Sequence, residues 1–203
     1  LGRITYNFEE DIIASAKTIC KRYKGNQAHA EYLEQMAGKF FDLLQKYHGL
    51  GERERLLLRL AAILHDCGKF ISMSAPGECA YQIIMSTEIL GISHMEREMV
   101  ACIVRYNTME LPNFSEFDGK LGNDEYLIVM KLAAILRVCN ALDRSHRQKF
   151  ADMKLTIKDS NIVITTAYPD NITLEKKTLQ DKQDFFEEVY GLGFEIKQKK
   201  KKQ

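Results

Sequence analysis

Residues 60–69 read Leu60-Ala61-Ala62-Ile63-Leu64-His65-Asp66-Cys67-Gly68-Lys69. Leu60, Ile63 and Leu64 recur at helical spacing, so the run predicts a buried helix that ends in a tandem His-Asp. A divalent ion needs about four to six donors, and the pair supplies two. A metal reading therefore requires partners from elsewhere in the chain. The plainer reading is a helix end whose two polar side chains hydrogen-bond locally. Two distant segments offer partners. Asn26-Gln27-Ala28-His29-Ala30-Glu31-Tyr32-Leu33 puts His29 at the start of a long amphipathic helix. Further on, Leu132 to Ser145 reads as a helix that carries Asp143 one turn beyond Cys139.

Composition sets the frame. The 203 residues suit one large domain or two small ones, and a 45% hydrophobic content is enough for an ordinary core. A net charge of +1 gives no global basic field, so no nucleic-acid partner is expected. The basic run Lys197-Gln198-Lys199-Lys200-Lys201-Lys202 reads as a solvated tail before it reads as a phosphate-binding arm. The five cysteines form no Cys-x-x-Cys, which argues against a zinc knuckle or a thioredoxin motif. Their odd number suits reduced thiols in a cytosol. With no signal peptide and no long apolar run, the expectation is a cytoplasmic protein with no membrane association. A start at Leu1, without methionine, suggests a fragment whose N-terminal context is missing.

Taken in order, the chain predicts a helix over 8–23 with Ile12, Ile13, Ala16 and Ile19 inward, stopped by Gly25. Asn26 is placed to cap a second helix running to about Tyr47, with Leu33, Met36, Phe40, Phe41 and Leu44 buried. His48 falls in a turn and is expected in solvent. Helices follow over 52–65 and 78–90. Another opens at Ser93, with Glu96 at the capping-box position, and runs to about Tyr106. Residues 107–123 form a long loop, and Asp124 opens the helix that leads to Asp143. After Phe150 the texture changes. Residues 154–165 alternate and are β-branched, with a hairpin turn at Asp159-Ser160-Asn161. Leu174 is expected to begin a short strand, 182–190 a helix, and Phe194 and Ile196 a last strand. The expected fold is mainly α: a helical domain over 1–150, then a small α+β appendix with a β-hairpin and basic tail over 151–203.

His29, His65, Asp66 and Asp143 thus stand as a set. Two imidazoles and two carboxylates suit manganese, iron, nickel or zinc, with magnesium a further choice, and leave positions for water. Such an ion polarises a phosphoryl oxygen and supplies hydroxide near neutral pH. Lys69 lies one turn beyond the pair and Arg144 beside Asp143, so either can meet a phosphate or serve as an ordinary helix-end cation.

One His, then His-Asp, then a distant Asp, all on helices, resembles the HD superfamily of metal-dependent phosphohydrolases. Four segments carry the resemblance further: Ala28-His29-Ala30-Glu31, Leu64 to Ile71, Val104-Arg105-Tyr106, and Lys131 to Lys149. These, with Phe185-Phe186-Glu187-Glu188-Val189-Tyr190-Gly191, resemble the C-terminal region of the exopolyphosphatase/guanosine pentaphosphate phosphatase (Ppx/GppA) family. The likeness covers nearly the whole chain. It implies an HD-domain-like helical bundle, phosphate binding by Lys69, Arg105 and Arg144, and attachment to N-terminal phosphatase domains. In that family the exopolyphosphatase site lies in those N-terminal domains, and this chain has no Gly-rich phosphate loop of its own. Two departures stand out. Met73-Ser74-Ala75-Pro76-Gly77-Glu78-Cys79 holds no histidine where relatives are histidine-rich, which disfavours a second metal; Glu78 and Cys79 are weak substitutes. Asn107 and Thr108 follow Arg105-Tyr106 where relatives often have a histidine and a basic residue. His94 and His146 are expected at the surface.

Three functions stay open. The first is a metal-binding module that dimerises and helps bind polyphosphate or a phosphorylated nucleotide, with Lys69, Arg97, Arg105, Lys131, Arg137 and Arg144 as candidate cations. The second is a self-contained HD phosphohydrolase in which Asp66 and Lys69 are catalytic. The third is a purely structural dimerisation domain.

Overall fold

A computed structural model describes residues 8–117 and 120–199. Apolar stripes at helical spacing make its first part a helical body. The helices are α1 (Phe8–Arg22), α2 (Gln27–Leu43), α3 (Gln45–His48), α4 (Glu52–Leu64), α5 (Pro76–Ser86), α6 (His94–Thr108) and α7 (Asn123–Leu142). Their starts follow ordinary capping chemistry. The Asn26 side chain accepts the His29 N–H at 3.1 Å. Ser93 and Glu96 form the expected reciprocal capping box. Pro76 opens α5 at a position where its missing N–H costs nothing.

The body is organised around α4. Leu56, Leu57, Leu58 and every residue from Leu60 to Leu64 are buried, so the second half of this helix is enclosed all round. It packs against α1, α2, α6 and α7. Its last residue therefore delivers His65 and Asp66 into the interior, beside the start of α2 and the end of α7.

The C-terminal part is β1 (Lys154–Lys158), β2 (Asn161–Thr166), α8 (Thr173–Tyr190) and β3 (Gly193–Gln198). β1 and β2 are antiparallel, with Lys158 opposite Asn161. The two turn residues between them, Asp159 and Ser160, have φ of 49° and 60°, as a tight two-residue hairpin of this hand requires. β3 lies parallel to β2, and α8 makes the crossover. α8 packs along α7. There the Arg137 guanidinium lies 4.2 Å from the Phe185 ring centroid, and Tyr190 Oη donates to the Lys131 carbonyl at 2.8 Å. One buried apolar cluster runs from the helical body into the sheet and includes Ile162, Ile164 and Phe186. The architecture is mainly α with a small α+β C-terminal region. Among the described residues no helix is long and apolar enough to cross a membrane.

Several local expectations need correction. Leu174 begins no strand: it lies half exposed in the first turn of α8, which starts nine residues before Lys182. Asn171 explains the early start, because its side chain accepts the Thr173 N–H at 2.7 Å. α5 ends at Ser86, not Leu90, because Thr87 turns extended. His48 is buried, not in solvent. Its Nε2 donates to the Phe41 carbonyl at 2.8 Å, and its Nδ1 accepts the Leu50 N–H at 2.9 Å. Lys200 to Lys202 of the expected basic tail lie outside the described residues.

Gly68 explains how α5 docks beside the His-Asp turn. A Cβ there would stand 2.0 Å from the Pro76 carbonyl oxygen and 2.6 Å from the Ala80 nitrogen, both main-chain atoms. Gly68→Ala is expected to cost about 3 kcal/mol or more, because the backbone of α5 must move to admit one methyl group. Urea denaturation measures it, and a loss below about 0.5 kcal/mol would contradict the close approach.

Candidate metal centre

Three elements bring the set together. The first turn of α2 supplies His29, which is wholly buried. The end of α4 supplies His65, still in helical backbone geometry, and then Asp66. Asp143 ends α7 and is also wholly buried.

The two imidazoles are held by their Nδ1 atoms. His65 Nδ1 lies 2.7 Å from the Ala62 carbonyl oxygen. That oxygen can only accept, so Nδ1 carries the proton and Nε2 keeps a lone pair. His29 Nδ1 lies 2.5 Å from Asp143 Oδ2 and donates to it in the same way. The two Nε2 atoms then face each other at 3.1 Å. Asp66 Oδ1 stands 3.2 Å from His65 Nε2. Three electron-rich atoms thus converge within 4.8 Å of one another. A cation shared by them makes this arrangement favourable; without one, the lone pairs repel.

The donor set fits a divalent ion. Two nitrogens 3.1 Å apart match adjacent ligands each about 2.0–2.1 Å from one metal. Two imidazoles and a carboxylate suit several first-row ions. Asp143 does not join the converging atoms. Its Oδ2 takes the His29 proton, and its Oδ1 accepts the Gln148 N–H at 2.8 Å. It stands behind His29 and sets that ring's orientation. The turn after α7 makes this possible, because His146 and Gln148 both adopt positive φ, at 56° and 48°. Cys67, the residue between Asp66 and Gly68, is no competitor: burial pushes its thiol up to about 12.

Electrostatics complete the picture. Burial pushes His65 down to about 4, against an attraction from Asp66. Burial alone would raise the Asp66 carboxyl, but His65 and Lys69 outweigh it and hold the group below the usual range. Lys69 Nζ lies 2.6 Å from Asp66 Oδ1, the same oxygen that faces His65. His146 is not the isolated surface residue expected. It stacks on His29 with ring centroids 3.8 Å apart, and burial lowers its affinity for a proton.

The candidate phosphate ligands separate. Arg105 turns away, pairing with Glu78 at 2.6 Å and covering the Tyr81 ring at 3.8 Å. That pairing also occupies Glu78. Arg97 donates to the Thr87 carbonyl and Lys131 to the His48 carbonyl. Lys69, Arg137 and Arg144 instead line one hollow, together with His146. Lys182 and Asn107 line it too, and neither was singled out in the sequence as a phosphate ligand.

Fold and site together define a helical domain with a buried His-His-Asp cluster at the end of its central helix. The family model for Ppx/GppA phosphatase, domain III, matches residues 13–184. The chain belongs to the Ppx/GppA phosphatase family, as its domain III. No curated protein matches it.

The depressed His65 value carries a pH dependence. The unfolded imidazole titrates near 6.5, and the folded one near 4. Its contribution to stability is therefore fully present above about pH 6.5 and is lost as pH falls towards 4. In metal-free protein the unfolding free energy should drop between pH 7.5 and 4 by on the order of 3 kcal/mol more than in His65→Leu. Equal pH slopes for the two proteins in urea titrations would refute the buried neutral imidazole.

Proposed function

We propose that the chain is the C-terminal HD-type module of an exopolyphosphatase or guanosine pentaphosphate phosphatase-like protein. In this reading it holds one divalent metal and contributes to binding polyphosphate or a phosphorylated nucleotide. One observation carries it: two imidazole Nε2 atoms and a carboxylate oxygen converge, with the tautomer of each ring set from behind. His29, His65 and Asp66 are the ligands. Asp143 orients His29, and Lys69 balances the charge of Asp66. When bound, manganese, iron, nickel, zinc or magnesium supplies a Lewis acid for a phosphoryl oxygen. Lys69 and Arg144 meet the phosphate. The N-terminal phosphatase domains of a longer protein are the natural partners, in a cytoplasmic homodimer.

The Lys69–Asp66 contact favours a second reading, in which the module is itself a phosphohydrolase. An ammonium bonded to a ligand carboxylate can donate a proton to a leaving oxygen, with Asp66 and Lys69 as the catalytic pair. Turnover of a nucleotide or another phosphoester by the isolated chain, lost in Lys69→Ala, separates it from the binding module.

Elemental analysis tests the metal. The purified protein is expected to hold about one equivalent after incubation with manganese, nickel or zinc, and His65→Ala or Asp66→Ala to hold none. Asp143→Asn should keep the site but weaken it about 10- to 100-fold, because that carboxylate acts through His29. No bound metal in the native chain overturns the proposal. Complete loss in Asp143→Asn, with helical content kept, would make Asp143 a direct ligand.

A further inference from the structure

The hollow beside the histidine pair has a volume of about 260 Å³. It lies between the end of α6, the last turns of α7 and the middle of α8. Lys69, Arg137, Arg144 and Lys182 line it, with the amides of Asn107 and Asn140, and no carboxylate is among its lining residues. Arg144 and Lys182 are exposed, and neither is paired with a carboxylate among the described residues. Arg137 is positioned without being neutralised, since it donates to two main-chain carbonyls, those of Tyr106 and Met109.

Asn107 is the decisive residue. It is 3% exposed, yet neither its amide nitrogen nor its amide oxygen has a hydrogen-bond partner. Buried amides are almost always satisfied, and this one lines a cationic hollow with both its donor and its acceptor unpaired. An anion with several oxygens suits the cations and accepts from the NH2, while the amide oxygen is left for a hydrogen-bond donor on the rest of the ligand.

The neighbouring hollow limits what that anion can be. It measures about 470 Å³ and shares Asn107, Arg137 and Lys182 with the first. It is also lined by Glu110, Asp181, Asp184 and Glu188, with the rings of Tyr126 and Phe185. A chain of phosphates continuing past Arg137 would meet those carboxylates. An uncharged organic group with hydrogen-bond donors would not be repelled, and it could lie against the rings.

We propose that the cationic hollow binds the phosphoryl end of a phosphate monoester, held by Lys182, Arg144 and the Asn107 amide, with the organic part towards Tyr126 and Phe185. This rests on the reading of the module as a phosphate binder, but not on the metal. It assigns Asn107 and Lys182 to a ligand and excludes the hollow as a polyphosphate track.

Isothermal titration of chelator-treated, metal-free protein with adenosine 5′-monophosphate, inorganic phosphate and tripolyphosphate tests it. The monoester should bind, more tightly than inorganic phosphate and at least as tightly as tripolyphosphate. Arg144→Ala/Lys182→Ala should weaken it at least tenfold and flatten its salt dependence, with metal binding unchanged. Asn107→Leu should weaken it as well while raising Tm, since an unsatisfied buried amide is removed. The proposal fails if the metal-free protein binds no monoester or if the double variant keeps full affinity. It also fails if tripolyphosphate binds more than tenfold tighter. A lowered Tm with unchanged affinity in Asn107→Leu would make that amide structural and overturn its assignment. Metal binding without monoester binding would sink this inference alone.

Discussion

An imidazole and a carboxylate, both wholly buried and 2.5 Å apart, tie the start of α2 to the end of α7. Much of the interior depends on that contact between His29 and Asp143. Taking a carboxylate out of water is costly unless its oxygens are satisfied, and here the second oxygen accepts the Gln148 N–H. The positive-φ residues His146 and Gln148 bring that N–H back. The same turn lays the His146 ring on His29. One buried pair thus shapes the loop after α7, positions α2 and directs the His29 lone pair towards His65.

The result is a site built in layers. Behind the facing Nε2 atoms stand a carboxylate on one side and a helix carbonyl on the other, and each sets a proton on the remote nitrogen. In front stands Asp66, which shares one oxygen between His65 and Lys69. Domain III of the Ppx/GppA family, as this chain presents it, therefore brings two imidazole nitrogens and a carboxylate oxygen within 4.8 Å of one another.

Cation placement divides the surface. Arg105 is held by the Glu78 carboxylate and Arg97 and Lys131 by main-chain carbonyls, and none of the three lines the cationic hollow. Lys69, Arg137, Arg144 and Lys182 collect on one side, next to the histidines, where no carboxylate lines the wall. α8 is central to this division. One of its faces carries Lys182 towards the cationic hollow, and the adjoining positions Asp181, Asp184 and Glu188 make the next stretch acidic. The crossover between β2 and β3 is thereby also a wall of the groove.

How much of this was legible in the sequence follows from the range of each interaction. The apolar periodicities of α1, α2, α4, α6 and α7, the Asn26 and Ser93 caps, and the Asp159-Ser160 turn are local, so residue order alone determined them. The His-Asp pair at the end of an apolar helix was visible for the same reason, and family resemblance pointed to His29 and Asp143 as companions. Where the interaction spans the chain, order is silent. That Asp143 stands behind His29 and away from the converging donors depends on how α7 ends against α2, the two residues being 114 positions apart in the chain. Burial of His48, the stacking of His146, the occupation of Arg105 by Glu78 and the unsatisfied amide of Asn107 are likewise set by packing. The sequence determined which helices form and which residues can ligate. Only the tertiary structure decided which of them meet, because lone-pair direction, burial and charge pairing are properties of neighbours in space.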